Sequence, residues 1–184
     1  MKYKLIIASL GLLLSTSSYA DQVREHRAHH ISAGYSQLYI SDGLMGDMDV
    51  PGLNLSYLYL PNKSEWGMGA TIDYNKQDDS AGKLNVKDEA YNISLAVVYQ
   101  PDTARWFRLY PTVGYSSYEL KTSSAVTSTT SDTYNGFSLG AGVQLAIPRT
   151  WMHLDISAKH VFMTDDLFDK SSMNIISVGL GYRF

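Results

Sequence analysis

NIISVGLGYRF, Asn174 to Phe184, decides the fold: apolar Ile176, Val178, Leu180, Tyr182 and Phe184 alternate strictly with Ser177, Gly179, Gly181 and Arg183. Successive side chains of a strand point to opposite faces. One wholly apolar face and one small or polar face suit a strand with lipid on one side and a polar lumen on the other. The aromatic residue that closes the stretch, Phe184, adds a second signal of such a strand.

The same alternation recurs upstream. Ile31, Ala33, Tyr35 and Tyr39 share one parity; so do Leu53, Leu55, Tyr57 and Tyr59, and Trp66, Met68, Ala70, Ile72 and Tyr74. Tyr91 to Tyr99, Phe107 to Tyr115, Phe137 to Ile147 and Met152 to Phe162 repeat it. The expected fold is therefore all-β, an eight-stranded antiparallel transmembrane β-barrel. An even strand count permits closure with both termini on one side, and closure removes the unpaired edges that lipid could not solvate. A soluble barrel of the lipocalin type would turn its apolar parity inward; the glycine-rich opposite parity argues against it.

At the other end, Lys2 and Lys4 precede an apolar run from Leu5 to Leu14, and Ser18 and Ala20 stand three and one positions before Asp21. This reads as a cleavable signal peptide over 1–20, too short in its apolar part to span a bilayer, with the barrel over 21–184. Of 15 basic and 18 acidic residues the leader removes only two lysines, so the mature charge is 13 − 18 = −5. Nucleic acid, which needs a basic stripe, is not an expected partner. Zero cysteines exclude a disulfide scaffold and thiol chemistry.

Connections fix the orientation. Leu60 to Glu65, Gln100 to Arg105 and Ile147 to Trp151 are short, whereas Ser41 to Val50, Lys76 to Asp88, Lys121 to Thr133 and Met163 to Met173 are longer and polar. Short turns belong in the periplasm and longer loops outside the cell. Both termini are then periplasmic, and aromatics gather at two heights as interfacial girdles require.

The blocks AGYSQ (Ala33 to Gln37), PGLNLSYLY (Pro51 to Tyr59), WGMGATIDY (Trp66 to Tyr74), NGFSLGAGVQL (Asn135 to Leu145), HLDISAKH (His153 to His160) and VGLGYRF (Val178 to Phe184) resemble the Ail/OmpX/Lom family of small enterobacterial outer-membrane proteins. The resemblance implies an outer-membrane barrel inserted by the barrel-assembly machinery through an aromatic carboxy-terminal signal, here Tyr182 and Phe184. In several members it implies adhesion, host-cell invasion or resistance to complement. Host cell-surface, matrix or complement-regulatory proteins are the corresponding partners, beside outer-membrane lipid and lipopolysaccharide.

Candidate chemistry is sparse. The lumen parity carries Asp73, Arg108, His153, Asp155, Lys159 and Arg183, and an eight-stranded barrel fills its interior with side chains, so these are expected to form a polar network. His26, His29 and His30 are close enough to suggest a metal, but their spacing matches no closed site; neither metal nor cofactor is expected. A lipid A-modifying enzyme needs a hydroxyl nucleophile and a histidine base at the outer rim. The one His-x-Ser, His30-Ile31-Ser32, lies at the wrong end, and His160 lacks an adjacent serine, so the chain is not read as an enzyme. An envelope-integrity barrel without a dedicated ligand is the alternative to a surface adhesin. For partner contact, Leu44, Met45, Met48, Leu167 and Phe168 are the candidate apolar residues in the external loops.

Overall fold

The computed structural model describes residues 28–42, 46–62, 64–81, 84–124, 130–163 and 172–184. Eight strands are present among them: β1 (His29–Asp42), β2 (Gly46–Tyr59), β3 (Trp66–Ala81), β4 (Leu84–Tyr99), β5 (Phe107–Ser124), β6 (Thr130–Ala146), β7 (Met152–Met163) and β8 (Ser172–Arg183). Each pairs antiparallel with its neighbours in sequence, and β1 pairs with β8 to close the barrel. Following the register from His29 through Tyr59, Met68, Val97, Pro111 (opposite Val97 by extension of Ala96↔Thr112 and Tyr99↔Leu109), Ala141, Ala158 and Ile176 returns to β1 at Gln37. The stagger is therefore 37 − 29 = 8 residues in one circuit, which tilts the strands by roughly 35–45° to the axis.

Parity does what a membrane wall demands. Leu53, Leu55, Met68, Ile93, Leu95, Val113, Leu139, Val178 and Leu180 point outward and are exposed, while Ser32, Ser56, Thr71, Asp73, Asn92, Ser94, Ser138, Gln144, Asp155 and Ser177 are buried inside. Aromatic residues stack in two outward belts. Trp66 meets Tyr99 at 4.7 Å near the short turns, and Tyr74 meets Tyr91 at 4.9 Å and Phe137 meets Phe162 at 4.7 Å near the opposite end.

The last residue takes part in closure. The Phe184 amide donates to the His29 carbonyl at 3.0 Å and the His29 amide to the Phe184 carbonyl at 3.1 Å, while the two rings stack at 5.5 Å.

The lumen differs from the sequence expectation at both ends, where inward residues turn apolar. Leu58, Leu60, Ala96, Val98 and Tyr110 form one buried cluster at the end of the short turns, the turn end. Leu38, Ile40, Val50, Ala90, Tyr118, Val161, Met173 and Ile175 form another at the far, loop end. Beyond the lipid band water would reach the lumen, so these layers keep it out of the polar middle.

The segments expected as loops are largely strand. Strands continue through 41–42 and 46–50, 76–81 and 84–88, 121–124 and 130–133. Outside lipid a strand no longer needs an apolar face, so the alternation that marked it in the sequence stops while the backbone ladder continues. The ladder also divides there. Pairing of β2 with β3 ends at Gly52↔Asn75, and that of β6 with β7 at Gly136↔Met163. Past those points β3, β4, β5 and β6 stay paired as far as Ala81↔Leu84 and Thr122↔Thr130. A four-stranded sheet thus stands out from the barrel.

Candidate functional site

Two regions concentrate polar chemistry. The first is the middle of the lumen. Lys159 Nζ donates to Asp73 Oδ2, both side chains fully buried, and to Thr71 Oγ1 at 2.8 Å. Asn54 Nδ2 at 2.7 Å and Ser177 Oγ at 2.9 Å donate to the other Asp73 oxygen. Asp155 has a different shell: the Tyr110 hydroxyl donates to Oδ1, and Ser56 at 2.7 Å, Gln144 at 3.0 Å and Ser32 donate to Oδ2. Neutral donors and burial among strand walls hold that carboxylate in place, which is how a packed interior carries a charge. Two glycines make room for these groups. A Cβ on Gly142 would fall 2.1 Å from the Tyr110 ring, and one on Gly181 would fall 2.2 Å from His153 Nε2.

Of the lumen residues named from sequence, Asp73 and Lys159 meet directly, whereas Arg108, His153 and Arg183 lie nearer the turn end. Arg108 donates from Nε to Gln100 Oε1 at 3.1 Å, and Arg183 donates from Nη2 to the Thr150 carbonyl at 2.9 Å. His153 packs against His30 with centroids 5.7 Å apart. Neither ring nitrogen of His153 has a hydrogen-bond partner among the described residues. The neighbouring histidines of the amino-terminal cluster separate: His30 turns into the lumen and His29 outward to the Tyr57 hydroxyl at 2.7 Å. Among the described residues no three His, Asp or Glu side chains could hold a metal ion together. His160 faces outward, 2.9 Å from Asn174 Oδ1 and edge-on to Phe162.

The second region is the protruding sheet. Its charges are largely paired with one another: Lys121 lies 2.9 Å from Glu119, which also accepts from Ser131 at 2.8 Å, and Lys87 lies 3.6 Å from Asp78. The Glu119 carboxyl is held below its ordinary range by the Lys121 and Ser131 hydrogen bonds, and the Lys121 ammonium is raised by Glu119. Among the described residues the pairing of β3 with β2 ends at Asn75 and that of β6 with β7 at Gly136, which gives the sheet two edges. The β3 edge carries Lys76, Asp78 and Asp79; the β6 edge reads TSDT over 130–133, with a single charge. Of the apolar candidates for partner contact, Met48 lies in β2 and packs against the loop-end cluster rather than on a loop. It shares the inward parity of Val50, a periodicity hidden in the sequence by the three aspartates around it. Leu44, Met45, Leu167 and Phe168 lie outside the described residues.

The family model "Outer membrane protein beta-barrel domain" matches residues 6–184. The chain belongs to this family. Among curated relatives, Outer membrane protein X of Enterobacter cloacae and of Escherichia coli K12 are each 26% identical over 185 residues, covering 97% of this chain and 98% of theirs. The crystal structure of Ail, the attachment invasion locus protein of Yersinia pestis, superposes with a TM-score of 0.75 at 21% identity, over 87% of this chain and all of that one. Neisserial surface protein A gives 0.59 at 16% identity, over 85% and 97%. This outer-membrane barrel is thus a distant relative of Outer membrane protein X and shares the fold of Ail, and its architecture implies a lipid environment and insertion by the barrel-assembly machinery.

Proposed function

We propose that this is an outer-membrane surface protein of the Ail/OmpX type, matured by removal of residues 1–20, with both termini periplasmic and the protruding sheet outside the cell. Its task on this reading is to engage a host cell-surface, matrix or complement-regulatory protein. The observation that carries the reading is the sheet itself: four strands continue past the lipid band, and among the described residues the pairing of β6 with β7 stops at Gly136. An open edge takes up an extended segment of another chain through main-chain hydrogen bonds. Charged residues discourage such pairing, so β3, with Lys76, Asp78 and Asp79, is the guarded edge and β6 the receptive one. Leu44, Met45, Leu167 and Phe168 are the proposed apolar contacts with such a partner.

Charge supports a protein ligand over a polyanion. Segments 41–50, 76–88, 121–133 and 163–173 carry formal charges of −3, 0, 0 and −2. Y. pestis Ail has been crystallised in complex with the heparin analogue sucrose octasulfate, but a surface without cationic surplus would repel a sulfated sugar. The test expresses the chain in a barrel-poor Gram-negative host and measures attachment to cultured cells and survival in serum. Thr133→Pro, which disrupts the β6 edge, should abolish both while leaving barrel assembly intact. Unchanged attachment would refute the edge, no attachment or serum phenotype in the parent would favour an envelope-integrity barrel, and salt-sensitive heparin binding would refute the charge argument.

A further inference from the structure

The lipid-facing wall is not uniformly convex: a groove of about 1110 Å³ crosses it from β1 to β6, large beside small-molecule sites of roughly 300–1,000 Å³. Its lining is almost wholly apolar, with Met68, Leu95, Val113 and Leu139 beside the shorter Ala70 and Pro111. Pro111 has no amide hydrogen to give, and the β4–β5 ladder is interrupted there, between Ala96↔Thr112 and Tyr99↔Leu109.

The direction of the groove identifies its occupant. It follows the register row that begins at His29, and that row climbs toward the loop end by eight residues per circuit, as the return to Gln37 requires. Five strand-to-strand steps at about 4.8 Å and the tilt of such a barrel lift it by about 15 Å. Half of a hydrocarbon core of about 30 Å is the same depth. The groove therefore starts at the turn-end aromatic belt and ends near the bilayer midplane, the depth one lipid tail occupies. At its lower end stand His29, Tyr57 and Tyr59. His29 Nδ1 lies 2.7 Å from the Tyr57 hydroxyl, which leaves Nε2 as the ring nitrogen outside that contact, the one that can face a phosphate oxygen. A second barrel is a poorer occupant, because its wall is convex and lipid already removes any hydrophobic gain from association.

We propose that the groove holds one acyl chain of a glycerophospholipid from the turn-end leaflet, with the phosphate at His29. This rests on the barrel spanning a membrane and not on any partner at the loop end. The mature protein is refolded into vesicles of phosphatidylethanolamine and phosphatidylglycerol, moved to a mild detergent, and weighed intact by native mass spectrometry, with heat-modifiable gel mobility confirming the fold. The monomer should keep one phospholipid. Ala70→Leu, which fills the floor, should lower the lipid-bound fraction at least five-fold, and His29→Ala should lower it several-fold. Ala33→Leu adds the same bulk to the lipid face outside the groove and should change nothing. No retained lipid, equal retention in parent and Ala70→Leu, or a dimer lost in Ala70→Leu would each overturn the proposal, the last by making the groove an interface between copies. A fall in Ala33→Leu as large as in Ala70→Leu would do the same. Because no partner is present, a failure here leaves the attachment experiment unaffected.

Discussion

Replacing Lys159 by methionine removes the cation from a fully buried Asp73 and leaves its carboxylate with Asn54, Ser177 and, at 3.5 Å, Ser36 as donors. Those neutral donors do not replace the lost charge, and breaking a buried pair on one side costs about 3–5 kcal/mol. Lys159→Met should therefore be destabilised by about 3–5 kcal/mol at pH 7. Asp73→Asn should cost a similar amount at pH 7, since the lysine is then left with Thr71 alone among its two described acceptors. The double variant removes both charges and should lie within about 1–2 kcal/mol of the parent. Urea titrations of protein refolded in detergent, scored as the fraction that migrates as folded in unheated gels, give the four values. A double variant as unstable as the two singles summed would refute the reasoning.

Deleting Phe184 removes two seam hydrogen bonds and a ring stacked on His29, together worth about 3 kcal/mol; the folded yield in the outer membrane should fall several-fold, while Phe184→Tyr should assemble near the parental level. Gly142→Val would drive a side chain into the Tyr110 ring, and detaching that hydroxyl from Asp155 should lower stability by about 2–3 kcal/mol in the same urea assay. The intact mass of the purified outer-membrane form should begin at Asp21, and a mass retaining 1–20 would sink the signal-peptide reading. Planar bilayers containing the protein should show no large, stable conductance steps, since the described lumen is packed with side chains from one end to the other.

The wall of the barrel was legible because lipid imposes a strict period of two, and every strand core from Ile31 to Phe184 carries it. The reach of the strands was not. Past Tyr74 and Tyr91 the sequence KQDDSA and LNVKDEA has no apolar face to reveal a strand, yet its residues pair throughout from Asn75↔Ala90 to Ala81↔Leu84. A signal for the apolar lumen layers did exist. Leu38 and Ile40 fall on the parity of Ser36, and Leu58 and Leu60 on that of Ser56, so the apolar parity doubles up at the strand ends. Two apolar faces in one short segment mark a strand with lipid outside and a dry lumen inside. Which lumen charges pair could not be read from heights in the sequence, because the eight-residue stagger brings Asp73 on β3 to Lys159 on β7.

Closure between the first strand and the last also governs timing. The seam joins Ser32 to Gly181 and Ser41 to Ser172, at sequence separations close to the full length of the described chain. No intermediate that lacks β8 can satisfy the hydrogen-bonding groups on the far side of β1, so a nascent or truncated chain carries two bare edges until its final residues arrive. Non-local pairings of this kind are the slow ones. Assembly must then be a late event, completed after synthesis, with the unclosed polypeptide kept away from other strands until its two ends can meet.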